Sequence, residues 1–599
     1  MKIKKFIALC LFANFLAVIS AQTIPPLSPS LTALNPENIF PTNSDTQFEF
    51  KDNNKSSKSS LFTVHAVNKN NPIFTAEVLA PYPSHFDVST TWKSVGAIKK
   101  DDVILARFAM RALYAKQESG EAFVSLFFQE IKGDRLVNIQ LGTGQEWKVF
   151  DVPFVAKHDM KAGESEITLT FGQFAQKVEI TGLQVLNFGQ KTTLAQLPTT
   201  RFTYAGREAN APWRVAALKR IDKVRTAPLI IQVNDTKGKP LKGVSVTAKL
   251  VNPEFLFGSE VDVKMINSNT PDGEKYRKTV TECFNAVTIG NGLKWGGWRN
   301  IKGREETKKT VNWILSHGLK LRGHNLVWPG KQFTPSTFAK QTDYGPGFSD
   351  TITKHIEEIA TYAKGKVYGW DVINEMMYEK DYFKVMPRTQ AAEWFKQAKR
   401  IDPQATLFIN EYSMLNGIAS PKNIKSFLDL IAELQGYGAP IDAIGVQGHV
   451  GRQPRNPEQV LTDLDLFLPI GLPVQITEFD VNTPDDELQA DYTRDFLIAC
   501  YSHPAVDGFT MWGFWESAHW KPDAALFRKD WTAKPNAAVW RDLVTKQWRT
   551  IITTQSNEKG IVTSRGHLGL YEITVTKGKK QVKSTYQLTK TSNYVIIKL

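Results

Sequence analysis

Between residues 255 and 515 the chain alternates two kinds of apolar pattern. Short runs such as Val474-Gln475-Ile476 are rich in β-branched residues and turn polar only at their ends, as strands covered on both faces do. Between them lie stretches with helical spacing, for instance Ile352, Ile356, Ile359 and Tyr362, which predict amphipathic helices. Eight strands are expected, at 255–260, 286–291, 321–328, 367–375, 406–412, 443–450, 474–481 and 508–515. Alternating strands and helices imply a parallel sheet, and eight repeats imply closure into a (β/α)8 TIM barrel.

The flanks follow other patterns. From about residue 48 to 188 apolar positions alternate at period two, as Ile167, Leu169 and Phe171 do, with Gly and Asp/Asn turns between. This predicts an antiparallel β-sandwich of jelly-roll type. Trp213, Ala217, Ile221 and Val224 share one helical face, and strands are expected at 229–233 and 244–250. After the barrel, strand signals recur at 571–575 and 594–597. The first residues, Met1-Lys2-Ile3-Lys4-Lys5, an apolar core over 6–19 and Ser20-Ala21, form a secretory signal pattern. Cleavage is expected after Ala21, giving an exported protein. The expected organisation is a signal peptide (1–21), a sandwich (22–205), a helix plus β linking segment (206–253), a barrel (254–549) and a small β-rich appendage (550–599).

Two of the barrel strands deliver a glutamate at their C-terminal ends, Trp370-Asp371-Val372-Ile373-Asn374-Glu375 and Val474-Gln475-Ile476-Thr477-Glu478. In such a barrel this end is the active-site face. The glutamates are 103 residues apart, and three βα units take up roughly 90 to 110, so they fall on strands four and seven. Retaining glycoside hydrolysis needs one protonated carboxyl to donate to the leaving oxygen and one carboxylate about 5 to 5.5 Å away to attack the anomeric carbon. Glu411, Glu516 and Asp480 also lie near strand ends and compete on position alone. Neither H-E-x-x-H nor a Gly-rich phosphate loop occurs, so no cofactor or metal is called for.

Gly323-His324-Asn325-Leu326-Val327-Trp328, Trp370 to Glu375, Gly445-Val446-Gln447-Gly448-His449, Ile476 to Asp480, and Trp512-Gly513 with Trp520 resemble, in that order, glycoside hydrolase family 10, the endo-β-1,4-xylanases. The resemblance covers roughly residues 255 to 548. It implies Glu375 as general acid/base and Glu478 as nucleophile, with His449 bonded to the nucleophile and Asn374 to the sugar 2-hydroxyl. It places Asn291, Lys294, His324, Trp328 and Gln447 on the glycone side, and Trp512 and Trp520 against sugar rings. Two departures stand out. The family has Glu-Asn before its Lys-Trp, whereas this chain has Gly290-Asn291-Gly292-Leu293-Lys294-Trp295, so a distal glycone carboxylate is missing. After Trp328 the family has His, and here Pro329-Gly330 follow.

The resemblance implies a polysaccharide substrate, with xylan favoured. Another or decorated β-glycan, and a non-catalytic glycan-binding barrel, remain open as alternatives. The sandwich's ending, Phe171-Gly172-Gln173 through Gln176-Lys177-Val178-Glu179-Ile180 to Leu186-Asn187, resembles jelly-roll carbohydrate-binding modules. Tyr82, His85, Phe86 and Trp92 are its platform candidates, with core packing the expected fate of most of them. Residues 206–253 resemble the segment that introduces the barrel in plant-type members.

Composition adds little that changes this picture. At 599 residues the chain is too long for one barrel. The net charge is +14, and after residue 550 eight Lys and Arg face only Glu558 and Glu572. Such a basic surface suits an acidic glycan as well as plain solvation. Nucleic acid is not expected for an exported chain without a nucleic-acid motif, nor is membrane insertion, and a monomer is expected. Cys10 leaves with the leader, and Cys283 and Cys500 are expected as buried free thiols rather than a disulfide.

Overall fold

Eight parallel strands close on themselves in the second half of the chain. In the computed structural model, which describes residues 24–41, 47–53, 60–66, 72–131, 133–339, 347–417 and 420–599, they are Leu256–Val261, Ala286–Ile289, Lys320–Gly323, Gly369–Asn374, Thr406–Glu411, Ala443–Val446, Val474–Val481 and Val506–Met511. Each pairs in parallel with the next, and the eighth pairs with the first. The expected leader and its cleavage point lie outside the described residues.

Several strands are shorter than their apolar runs suggest. The third leaves the ladder after Gly323, and Leu326 and Val327 are buried beyond it. The fourth stops at Asn374, and Glu375 takes a left-handed backbone with φ +59°, uncommon for a side chain other than glycine. The helices around the barrel follow their sequence signals. Phe348–Ala363 buries Ile352, Ile356 and Ile359, while Asp485 caps Asp486–Ser502 by accepting from the Glu487 and Leu488 N–H groups. Cys283 and Cys500 are buried and unpaired. No helix among the described residues is long and apolar enough to cross a membrane.

The N-terminal unit, up to Thr200 apart from residues 117–121, is a two-sheet antiparallel sandwich. One sheet orders the strands Ser60–Ala66, Pro72–Val78, Gln176–Asn187, Val103–Ala115 and Lys148–Val155. The other orders Glu49–Asp52, Val88–Lys93, Ser165–Thr170, Ala122–Glu130 and Arg135–Thr143. Two of the four platform candidates take the core-packing fate expected for most of them. Trp92 is 1% exposed, among Phe40, Phe48 and Phe74, and Tyr82 is buried with its hydroxyl donating to Asp52. Both belong to the core. His85 and Phe86 stay half-exposed against Phe127.

The linking segment and the C-terminal appendage, separate in sequence, share one core. Thr226–Asn234 pairs with Ile561–His567 and Tyr594–Lys598, and Ser245–Pro253 pairs with Ile551–Gln555 and Gly569–Lys577, on which Lys580–Leu588 adds an edge. Leu229, Ile231, Val233, Val246, Ala248, Ile573 and Val575 are all fully buried between the two sheets. The preceding helix, Pro212–Arg225, is tied to the barrel by ion pairing of Arg214 with Asp495 at 2.6 Å. At its end Arg225 donates to the carbonyls of Tyr501 and His503, both at 2.7 Å. Because this core is assembled from both ends of the barrel, Ile231→Ala and Ile573→Ala should each destabilise it by about 2–5 kcal/mol. Urea unfolding followed for both variants tests this, and a loss below about 0.5 kcal/mol in either would contradict the shared core.

Candidate active site

The C-terminal ends of the barrel strands form one polar network around two carboxyl groups. Glu375 Oε1 accepts from Gln447 Nε2 at 2.8 Å and from Asn374 Nδ2 at 3.2 Å, and its Oε2 accepts from the Trp328 indole N–H at 3.0 Å. Glu478 Oε1 accepts from Asn410 Nδ2 at 2.8 Å, and Oε2 lies 3.4 Å from His449 Nε2. Asn410 also donates to Asn374 Oδ1 at 2.8 Å and is held by the Thr477 hydroxyl at 2.7 Å. The two glutamates are thus linked through Asn374 and Asn410. Asn410 is fully buried, and the bare backbone of Gly445 makes room for it: a β-carbon there would stand 2.3 Å from its Oδ1.

The same chemical group has opposite character at the two positions. Burial drives the Glu375 pKa up, and the charge of Glu478 adds to this against the Gln447 hydrogen bond, leaving it at about 8. Burial also acts to raise Glu478, but the His449 contact and the charges of His324 and His449 overcome it and hold Glu478 below the ordinary carboxylate range. His449 lies 3.2 Å from Asp480 as well as beside Glu478, and its pKa rises to about 10 despite burial, with Asp480 the main cause. At neutral pH the network therefore holds a protonated Glu375, an ionised Glu478 and an imidazolium between Glu478 and Asp480.

The remaining residues of the sequence-derived set join the same network. Lys294 Nζ donates to Asn291 Oδ1 at 3.2 Å and lies 5.0 Å above the Trp328 ring. Burial lowers the Lys294 pKa, opposed by the nearby charges of Glu478, Glu260 and Glu375. His324 contacts Asp371 at 2.8 Å, and the fully buried Arg322 pairs with the same carboxylate. Trp512 presents its ring to His324 and His449, with centroids 5.2 and 6.5 Å away. Trp520 donates to Asp480 at 2.7 Å and is 46% exposed, which leaves aromatic surface open. Trp328 is different, because Phe333 stacks on it at 3.4 Å and 11°. One of its faces is therefore unavailable to a sugar. Trp515 stacks on Trp531 and packs rather than binds.

Sequence reasoning missed Asn410, Arg322 and Asp371, which position the carboxylates and His324. For Asn410 the signal was a polar residue at the end of an otherwise apolar strand, the cue that drew attention to Glu411, whereas Asp371 lies inside the fourth strand and Arg322 in the short third one. Glu411 itself is fully buried, accepts from the Met377 and Tyr412 N–H groups at 2.9 and 3.0 Å, and is pushed well above the usual carboxylate range by burial. It braces the turn carrying Glu375.

Residues 247–542 match the family model for glycosyl hydrolase family 10. The chain is 30% identical over 390 residues to the anti-sigma-I factor RsgI6 of Acetivibrio thermocellus, a match covering 63% of this chain and 49% of that protein. It is 27% identical over 392 residues to endo-1,4-beta-xylanase 1 of Arabidopsis thaliana, covering 64% of this chain and 40% of the relative. This chain thus spans half or less of the length of either relative. Among solved structures, xylanase 10B of Thermotoga petrophila, crystallised with xylobiose, is 25% identical with a TM-score of 0.44, covering 49% of this chain and 95% of that one.

The raised Glu375 pKa has a consequence for stability. The folded state holds this proton more tightly than the unfolded chain, so the contribution is fully present below the unfolded value near 4.5 and is lost as pH rises through about 8. Glu375→Gln, which cannot ionise, should therefore melt above wild type at pH 8 to 9 and approach it near pH 4.5. Thermal melts across that range check this, and a difference independent of pH would contradict the assignment.

Proposed function

Because residues 247–542 belong to glycosyl hydrolase family 10, we propose that this chain is an exported endo-acting hydrolase that cleaves β-1,4-xylosidic bonds with retention of configuration. The observation that carries the proposal is the opposite character of Glu375 and Glu478 within one network. The relatives named as endo-1,4-beta-xylanases support xylan as the substrate.

The chemistry follows from the contacts. Glu478, ionised and aligned by Asn410 and His449, attacks the anomeric carbon while Glu375 gives its proton to the leaving glycosidic oxygen. This leaves a sugar ester on Glu478 and an ionised Glu375. Losing its neighbour's charge lowers the Glu375 proton affinity at that moment. Glu375 then takes a proton from water, whose oxygen attacks the same carbon from the opposite face to Glu478 and frees both the sugar and the carboxylate. Asn374, tied to both Glu375 and Asn410, is the residue we assign to the sugar 2-hydroxyl. Trp512 and the exposed Trp520 offer apolar faces to sugar rings.

A second reading is a cleft that binds glycan without turning it over. Product analysis separates the two. Proton NMR of xylo-oligosaccharide hydrolysis should show the β-anomer of the new reducing end first. Initial release of the α-anomer would overturn retention, and no hydrolysis of any β-glycan tested would leave the binding reading.

Activity should also be confined by the two carboxyl groups. As pH rises, kcat/KM should fall through about 8 as Glu375 loses its proton. As pH falls, it should hold until below the ordinary carboxylate range, where Glu478 gains one. Glu478→Ala should reduce turnover to background, with azide restoring part of it as a β-glycosyl azide. Glu375→Ala should cost about 10²- to 10⁴-fold on polymer and less at the glycosylation step of aryl glycosides with good leaving groups. Equal losses on both substrates, or wild-type-like turnover in Glu478→Ala, would contradict these roles.

A further inference from the structure

The carboxylate missing at residue 290 has a counterpart one strand away. Glu260 sits near the end of the first barrel strand, Leu256–Val261, opposite Thr288 of the second. Gly290 follows directly after that second strand, Ala286–Ile289. A β-carbon on Gly290 would stand 2.1 Å from Glu260 Oε1, 2.9 Å from its Cδ and 3.1 Å from its Cγ. The backbone of Gly290 is not in the left-handed region, so the glycine is required by this approach rather than by its conformation. The Glu260 carboxyl group therefore occupies the space in which a side chain at 290 would begin.

Its surroundings face the cleft. Glu260 keeps part of its surface open to solvent, and it lies within electrostatic reach of both Lys294 and Glu478. Burial, with the neighbouring charges of Asp262 and Glu478, drives its pKa up to about 8 against Lys294 and the Gly290 backbone. A carboxyl group that stays protonated at neutral pH can donate to one hydroxyl and accept from another. The chemistry proposed for Glu375 and Glu478 makes no use of it.

We propose that Glu260 is the specificity-determining residue of the distal glycone subsite, binding the hydroxyls of the second sugar from the cleaved bond in place of residue 290. This rests on the reading of the chain as a β-1,4-xylanase. Under it, Gly290 and Glu260 form an exchanged pair, in which moving the carboxyl group to the neighbouring strand requires the glycine. The pair predicts an asymmetry. Adding Glu at 290 alone drives two carboxyl side chains into one space, whereas adding it together with Glu260→Ala recreates a single carboxyl group from the other strand.

The test compares an aryl β-xyloside, which has one glycone sugar, with an aryl β-xylobioside, which has two. The quantity read is the ratio of kcat/KM on the second to that on the first. In Glu260→Ala this ratio should fall at least about tenfold, the effect of losing one strong hydrogen bond, with a smaller fall in Glu260→Gln. Gly290→Glu should also lose, and Glu260→Ala/Gly290→Glu should recover a substantial part of the ratio relative to Glu260→Ala. Thermal melts of all four variants separate these effects from misfolding, and the ratio itself is insensitive to the fraction of folded enzyme. A ratio within twofold of wild type in Glu260→Ala, or a double variant no better than Glu260→Ala, would overturn the role of Glu260 alone. A wild-type protein that cleaves neither aryl glycoside nor xylan would overturn the xylanase reading and this proposal with it.

Discussion

Two carboxyl groups bound into one buried network cannot both carry a charge cheaply, and the active-site face of the barrel is arranged around that constraint. Its solution is to concentrate compensation on one side. Glu478 has the imidazolium of His449, itself backed by Asp480, and the amide of Asn410. Glu375 has neutral partners, Trp328, Gln447 and Asn374, which orient a protonated carboxyl without paying for its ionisation. Asn410 ties the two halves together from strand five, so the separation of character does not become a separation in space. The same logic reaches outward to His324, which is held by Asp371 beside Arg322 and helps keep Glu478 ionised, while the charge of Asp371 opposes this.

Such a site works against folding. Glu260, Glu375 and Glu411 are all driven upward in pKa by burial, each a group that would be better solvated in the unfolded chain. The stabilising contributions lie elsewhere, in the aromatic and aliphatic core beneath the strand ends and in the second core that both ends of the chain build together. Function-bearing residues are set on strand ends and the turns after them, while the rigid ladder below supplies the positions.

The parts of this arrangement that were legible in the sequence are those written in local pattern. Val474 and Ile476 mark a β-branched run ahead of Glu478, and the strand has the expected bounds, Val474–Val481. Glu375 and Glu478 stood out because an apolar run ended in a carboxylate in a recognisable context. What was not legible depends on partners distant in sequence. Residues 226–253 and 551–599 each showed strand alternation, but nothing local says that Val246 and Val575 would share a core. Core packing was expected for most of Tyr82, His85, Phe86 and Trp92, but composition does not reveal which of them a sandwich turns inward, and the structure buries Trp92 and Tyr82. Gly290 was readable as a loss, and its compensation by Glu260 was not, since a lone glutamate at a strand end has no signature until the neighbouring strand is beside it. Asn410 was overshadowed by the adjacent charge of Glu411.

The central claim is the divided protonation of the two glutamates. It is tested most directly by following the side-chain carboxyl carbons in a ¹³C NMR titration of protein labelled at glutamate, with Glu375→Gln and Glu478→Gln spectra to assign the two signals. The account predicts that the Glu375 carbon titrates near pH 8 in wild type, at a lower pH in Glu478→Gln, and that the Glu478 carbon titrates below the ordinary carboxylate range. Two carbons titrating together near pH 4.5, or a Glu375 midpoint unmoved by removing the charge at 478, would contradict it.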